Sequence, residues 1–301
     1  MKYLSTKEIS TLWNYTERAI RKMCVAGKID GAIKIGKIWS IPETAQKPAR
    51  LNAKPKTKKE KFDIILNLKN ILDSKRPLTE AEIKRLNDEF VVDYTYNTNA
   101  IEGNTLTLQE TTLVLQGITI DQKPLKEHME AIGHKDAFYY VVDLVKNKAE
   151  LNEKIIKEIH SLVLMNNPTG KGVYRQIPVK ISGASHTPPQ PYLVPKQMED
   201  LIINFKKWSK TKNIVQIVSL LHLNFEFIHP FIDGNGRTGR LLVNLILMQN
   251  GFPPINIKFT DRKKYYDCFE KYHQTNKPDE MINLISDLLI ERLKQYIDIL
   301  K

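Results

Sequence analysis

The stretch His229-Pro230-Phe231-Ile232-Asp233-Gly234-Asn235-Gly236-Arg237-Thr238-Gly239-Arg240 gathers one histidine, one carboxylate, three glycines and two arginines into twelve residues. An apolar helical pattern runs into it (Ile214, Ile217, Val218, Leu221, Phe225). Another leaves it (Leu241, Leu242, Leu245, Ile246, Met248) and is ended by Gly251 and Pro253. The spacing predicts a helix–loop–helix corner.

A helix starting near Gly236 aims free backbone N–H groups and the positive end of its dipole into a glycine loop, where missing side chains let an anion approach. Arg237 and Arg240, three apart on the first turn, are expected to reach the same anion. Arginines this early in a helix oppose the dipole and are poor structural choices unless an anion meets them. Asp233 offers a hard oxygen suited to Mg²⁺ beside phosphates. His229 stands where the incoming helix must stop before Pro230, placed to take a proton from an attacking hydroxyl. A histidine before proline is usually just a helix end, and Gly-Asn-Gly usually just a turn; the combination points to phosphoryl-type transfer from a nucleotide. The order G-x-x-x-x-G-K-[ST] is absent, which disfavours an ordinary ATPase.

The stretch resembles the signature of the Fic family, HxFx[DE]GNGRxxR, at every fixed position. The resemblance implies a mainly α, Fic-type domain that transfers AMP from ATP to a Ser, Thr or Tyr hydroxyl of a protein, with pyrophosphate leaving. It makes His229 the general base, Phe231 the loop's anchor in the core and Asp233 the Mg²⁺ ligand. Gly234, Asn235 and Gly236 then cradle phosphates through the backbone, and Arg237 and Arg240 bind the distal phosphates. Tyr265 or Tyr266 is implied to line the adenine pocket. His273 departs from relatives, which often carry Asn there, and this bears on ribose contact and base preference.

Upstream, Thr98-Asn99-Ala100-Ile101-Glu102-Gly103-Asn104 reads as a helix end with a carboxylate in its last turn, where the dipole disfavours it and a cationic partner is called for. The segment resembles the family's inhibitory motif [ST]xxxE[GN], through Thr98, Glu102 and Gly103, whose glutamate pairs with the second signature arginine. Removal of AMP, with Glu102 orienting a water, is the alternative use of the same site. Alternation around Gly183, in Val179–His186, predicts a small β-hairpin. In the family a flap here aligns the target segment, which would bring Ile181, Ser182 and His186 near the acceptor chain.

Charge is unevenly spread. Residues 1–61 hold 15 Lys and Arg against 5 Asp and Glu, a net of +10, whereas the remaining 240 residues carry only +2. Within that basic front, Ser5 and Glu8 have capping-box spacing, and a second helix starts at Thr16 with Arg18, Arg21 and Lys22 on its outer face. Ile33 to Ile41 then alternates around Gly36-Lys37 as a hairpin. The order is that of a winged helix-turn-helix, and it resembles the small DNA-binding modules of excisionases and MerR-type regulators. Arg18, Arg21 and Lys22 are the expected DNA contacts, with Lys34 and Lys37 on backbone phosphates. A DNA-binding regulator tuned by nucleotide occupancy is therefore a further alternative.

The expected organisation is a winged helix-turn-helix over 1–46, a Pro- and Lys-rich linker over 47–61, and the Fic domain over 62–301 with its inhibitory helix near 95–104. No apolar run approaches the ~18 residues of a membrane span, and no apolar signal region follows Lys2, so no membrane and a cytoplasmic location are expected. Cys24 and Cys268 lie far apart without zinc-like spacing and read as small buried apolar residues. His128, His134 and His160 lie in helical patterns and are given no chemistry. The sequence is compatible with a homodimer and leaves the oligomeric state open.

Overall fold

The computed structural model describes residues 2–13, 15–36, 38–47, 57–75, 77–181 and 185–300. The chain divides into two compact units, Met1–Lys56 and Thr57–Lys301. Lys37, Ser182, Gly183 and most of the expected linker lie outside the described residues.

The first unit runs β1 (Tyr3–Ser5), α1 (Thr6–Trp13), α2 (Glu17–Val25), β2 (Ile33–Ile35) and β3 (Ile38–Pro42). The expected caps form: Glu8 N–H donates to Ser5 Oγ at 3.3 Å, and Ala19 N–H donates to Thr16 Oγ1, also at 3.3 Å. Gly27, at φ +63°, takes the left-handed turn that follows α2. Ile9, Trp13, Ile20, Cys24, Ile29 and Ile41 form the core of this unit. The hairpin expected at 33–41 is present as β2 paired antiparallel with β3. A third strand, β1, joins its other edge with Leu4 opposite Ile41; three residues are too few to show an alternation in sequence.

The described elements of the second unit are helices, and its α-helices are α3 (Lys58–Asp73), α4 (Glu80–Ile101), α5 (Leu108–Leu115), α6 (Leu125–Lys146), α7 (Glu153–Val163), α8 (Val194–Thr211), α9 (Ile214–Ile228), α10 (Asn235–Gln249), α11 (Arg262–Thr275) and α12 (Asp279–Ile299). Reciprocal caps set four starts, Thr57–Glu60 for α3, Thr79–Glu82 for α4, Thr107–Glu110 for α5 and Asn213–Gln216 for α9. The Thr57 cap carries α3 back to Lys58, inside the stretch expected to be linker. Helix α10 is buried along nearly its whole length, against α9, α6 and α7. Its N-terminus is thereby held in the middle of the unit. The hairpin expected around Gly183 is not seen as strand pairing: the described residues between Gly172 and Gln190 contain no strand. Side-chain bonds hold this segment instead, with Ser185 N–H and Oγ–H donating to Glu270 at 3.0 and 2.6 Å. Among the described residues no helix is long and apolar enough to cross a membrane.

Candidate active site

Helix α9 stops at His229, whose backbone is left-handed at φ 48°, ψ 61°, and α10 begins after Gly234, left-handed at φ 74°. The loop between them is pinned from three sides. Asn235 folds its amide back, accepting from Phe231 N–H at 2.9 Å and donating to the Phe231 carbonyl at 2.9 Å. Phe231 is fully buried and lies face to face on the His160 ring, with centroids 3.6 Å apart. His160 then takes Gly172 N–H on Nδ1 at 2.9 Å. Its proton is thus on Nε2, which donates to the Asp233 carbonyl at 2.9 Å. Because α10 has no side-chain cap at Gly234, its first N–H groups stay open to the cavity in front of them.

That cavity measures about 540 Å³ and is lined by His229, Asp233, Gly234, Asn235, Gly236, Arg240, Glu102, Tyr265 and Tyr266 among others. The size suits a nucleotide-sized ligand. Arg240, buried, spreads its fork over four acceptors: Nε donates to Thr98 Oγ1 at 2.7 Å, Nη2 to the Thr98 carbonyl at 3.0 Å and to Glu102 Oε1 at 2.7 Å, and Nη1 to Tyr265 Oη at 3.2 Å. Glu102 is the C-cap residue of α4 and remains 34% exposed at the cavity. A Cβ on Gly236 would collide with Glu102 Oε1 and stand 3.1 Å from Arg240 Nη1. Only glycine there lets the carboxylate rest against the first turn of α10. Glu102 thus sits where helix dipole and guanidinium together favour an anion.

The two signature arginines do not converge on one anion. Arg237, 2% exposed, turns beneath the loop, with Nη1 3.4 Å from both Asn99 Oδ1 and Glu130 Oε1 and Nη2 3.5 Å from Asp233 Oδ1. It does not line the cavity. The expected partnership with Arg240 on one phosphate group is corrected by packing: α6 supplies Glu130 to one arginine and α4 supplies Glu102 to the other. Tyr265 is buried, and burial pushes its hydroxyl well above the usual tyrosine range. It therefore stays protonated and accepts from Arg240. Tyr266 is half exposed and donates to the Ile101 carbonyl at 2.9 Å. Lys180, Ile181, His186 and His273 line the mouth, where His186 stacks on Phe227 with centroids 4.1 Å apart.

Asp233 is half exposed, with Oδ1 taking Gly234 N–H at 2.6 Å and the Arg237 contact. No cluster of three or more His, Cys, Asp or Glu suited to a metal exists among the described residues. A single carboxylate fits an Mg²⁺ ion that arrives on phosphates and keeps several waters. His229 has Glu226 Oε2 3.6 Å from Nδ1, which is otherwise buried without a partner.

Three contributors gave no signal in the sequence: His160, Glu226 and Arg175, whose Nε donates to the His229 carbonyl at 2.7 Å. Each looks like an ordinary helix or loop residue until the loop is packed on it. His160 makes a testable case. Burial pushes its pKa down to about 4, from a usual 6.5. The unfolded chain then binds the proton first as pH falls, so the loop's support is complete above about pH 6.5 and is lost progressively toward about pH 4. Protonated His160 would face Gly172 N–H with a second donor. Thermal melts of wild type and His160→Gln between pH 7 and 4 check this, and the wild type should lose stability more steeply. Parallel curves would rule His160 out as the source.

Residues 150–247 match the family described as Fic/DOC. The chain is similar to the protein adenylyltransferase Fic of Nematostella vectensis, 39% identical over 211 residues that cover 67% of this chain and 47% of that protein. The chain spans about half the length of the curated relatives it matches. Among solved structures, a Fic domain containing signaling protein from Bacteroides thetaiotaomicron superposes with a TM-score of 0.71 at 29% identity, over 79% of this chain and 96% of that one. Fic-1 from C. elegans gives 0.68 at 29% identity, over 80% and 71%. Residues 150–247 of this chain accordingly carry a Fic/DOC domain.

Proposed function

We propose that the second unit is a protein adenylyltransferase held back by its own Glu102. The observation that carries the reading is the meeting of His229, the open N-terminus of α10 and Arg240 on one cavity, with Glu102 bonded to the arginine at 2.7 Å. An acceptor Ser, Thr or Tyr oxygen attacks the α-phosphorus of ATP, its proton passes to His229, and the bond to the β-phosphate oxygen breaks to release pyrophosphate. Asn235 and Gly236 offer N–H groups to phosphate, Gly234 joins them once it exchanges its bond to Asp233 Oδ1, and Arg240 takes the distal charge. Asp233 would hold Mg²⁺, which neutralises phosphate charge when bound. Arg237 orients Asp233 rather than touching nucleotide. Tyr265 backs Arg240, and Tyr266 forms the pocket wall nearest the base.

Incubating a lysate with Glu102→Gly protein and ATP labelled on either the α- or the γ-phosphorus tests the reaction. Label from the α-position alone on protein supports the reading, and transfer of γ-label overturns it. A second reading is favoured by Glu102 lining the same cavity as His229: the wild-type chain removes AMP, with Glu102 orienting a water. Loss of label from pre-modified protein would separate the two.

We further infer that residues 1–46 form a winged helix-turn-helix that binds duplex DNA. Arg18, Arg21 and Lys22 stand exposed along α2, with Lys34 exposed on β2. Arg21 is engaged by Glu17 at 2.7 Å and must exchange that partner for phosphate. Affinity is expected to fall steeply with salt, by roughly one power of salt concentration per phosphate contact, and to drop further in Arg18→Ala than in Arg21→Ala. Fluorescence anisotropy on genomic fragments reads both, and no binding at low salt removes the idea.

A further inference from the structure

We infer that Arg175 is a positioning residue for His229 and ties Ile177 and Pro189 to the end of α9. The inference rests on the adenylyl-transfer reading above. It starts from the backbone of His229. Four described non-glycine residues have positive φ, Gln122, Lys148, His229 and Asn276, and the other three lie exposed. His229 is also followed by proline, which pushes its predecessor toward extended backbone. A left-handed residue with a Cβ costs free energy, and one that is also followed by proline needs its surroundings to hold it there.

Arg175 does this. Its backbone N–H donates to the Pro230 carbonyl at 2.9 Å, its Nε to the His229 carbonyl at 2.7 Å and its Nη2 to the Ile228 carbonyl at 3.4 Å. His186 Nε2 donates to the Phe227 carbonyl at 2.8 Å. Four consecutive carbonyls at a helix end, which lack intrahelical partners, are thus all taken by Arg175 or His186. A guanidinium suits this end of the dipole, and being planar with five donors it can serve several carbonyls at once. The same fork holds the neighbouring segment at both ends, with Nη1 on the Ile177 carbonyl at 3.3 Å and Nη2 on the Pro189 carbonyl at 2.6 Å. Lys180 and Ile181 of that segment line the cavity in which His229 stands. A protein substrate resting on Lys180 and Ile181 therefore bears on the imidazole through one buried side chain.

The test is made in the Glu102→Gly background, whose own transfer activity is measured first. If that protein transfers nothing, the functional reading fails and the role of Arg175 is judged by amide hydrogen exchange alone: Arg175→Lys must raise exchange at residues 228–231, and unchanged exchange overturns the inference. If it transfers, Arg175→Lys is expected to lower kcat by about tenfold while KM and Kd for ATP stay within about twofold, because the nucleotide's own donors are untouched. Lysine keeps the charge but cannot serve all these carbonyls. Arg175→Ala should be slower still and should recover in proportion to added guanidinium ion. Arg175 lines a second cavity of about 590 Å³, through which that ion can enter. Full kcat in Arg175→Lys overturns the inference. So does a parallel loss of kcat, ATP affinity and melting temperature, which marks a general structural role. Should Arg175→Ala not fold, the Lys variant decides.

Discussion

Replacing His229 with alanine is expected to lower AMP transfer by about 10²–10⁴-fold, the usual worth of a general base, and to leave ATP affinity nearly intact. The separation follows from the geometry. His229 lies at the C-terminal end of α9, while the groups suited to phosphate belong to α10, and the loop is pinned by Asn235, Phe231 and His160 rather than by the imidazole. On the proposed reading, removal of the ring takes away the proton acceptor without loosening the anion site. The comparison is made in the Glu102→Gly background. Calorimetry with ATP and single-turnover transfer are the two measurements, and near wild-type transfer in His229→Ala would eliminate it as the base.

Replacing Glu102 with glycine is expected to raise transfer or self-modification by roughly ten- to a hundredfold. A charge-assisted hydrogen bond is worth about 1.5–3 kcal/mol, and each 1.4 kcal/mol is tenfold. In the wild type Arg240 Nη2 is committed to Glu102 Oε1 at 2.7 Å, and the carboxylate crowds Gly236 at the start of α10. On the proposed reading, ATP entering this cavity would meet a negative charge at the place its distal phosphates need, and would bind with its α-phosphate out of line with the acceptor. The structural risk is small because the turn after α4 has other fastenings. Gly103, at φ +95°, donates to the Ala100 carbonyl, and Asn104 Nδ2 donates to Glu130 Oε2 at 2.9 Å and to the Glu127 carbonyl at 3.1 Å. Arg240→Ala should not reproduce the release, since it removes the phosphate contact together with the brake. A folded, ATP-binding Glu102→Gly protein with unchanged transfer would show that the Glu102 pair does not restrain the reaction.

The sequence by itself determined those features that depend on residues close in the chain. The twelve residues from His229 to Arg240 imposed a helix–loop–helix corner, since Pro230 and Gly234 punctuate two apolar helical runs, and the start near Gly236 differs by one residue from the observed Asn235. Ser5, Thr16 and Gly27 marked the helix ends of the first unit for the same reason: a cap satisfies backbone groups within four residues of itself. The pairing of Glu102 with Arg240, 138 residues apart, was reached through the resemblance of two short motifs and is present at 2.7 Å.

Tertiary structure decided where side chains of one helix point once neighbours are packed around it. Three residues along a helix amount to about 300° of rotation, so Arg237 and Arg240 diverge by roughly 60°. That divergence was enough for Arg237 to be captured by Glu130 of α6 and Arg240 by Thr98 and Glu102 of α4. The alternation around Gly183 gives no strand among the described residues, whose side chains and carbonyls are held by Glu270, Phe227 and Arg175 instead. Arg175 and His160 stand 54 and 73 residues from the loop atoms they hold. Nothing in their local sequence sets them apart from a surface arginine or a helix-face histidine. Their roles arise because an unpaired carbonyl in a buried loop must find a donor, and only the folded chain determines which donor is within 3 Å.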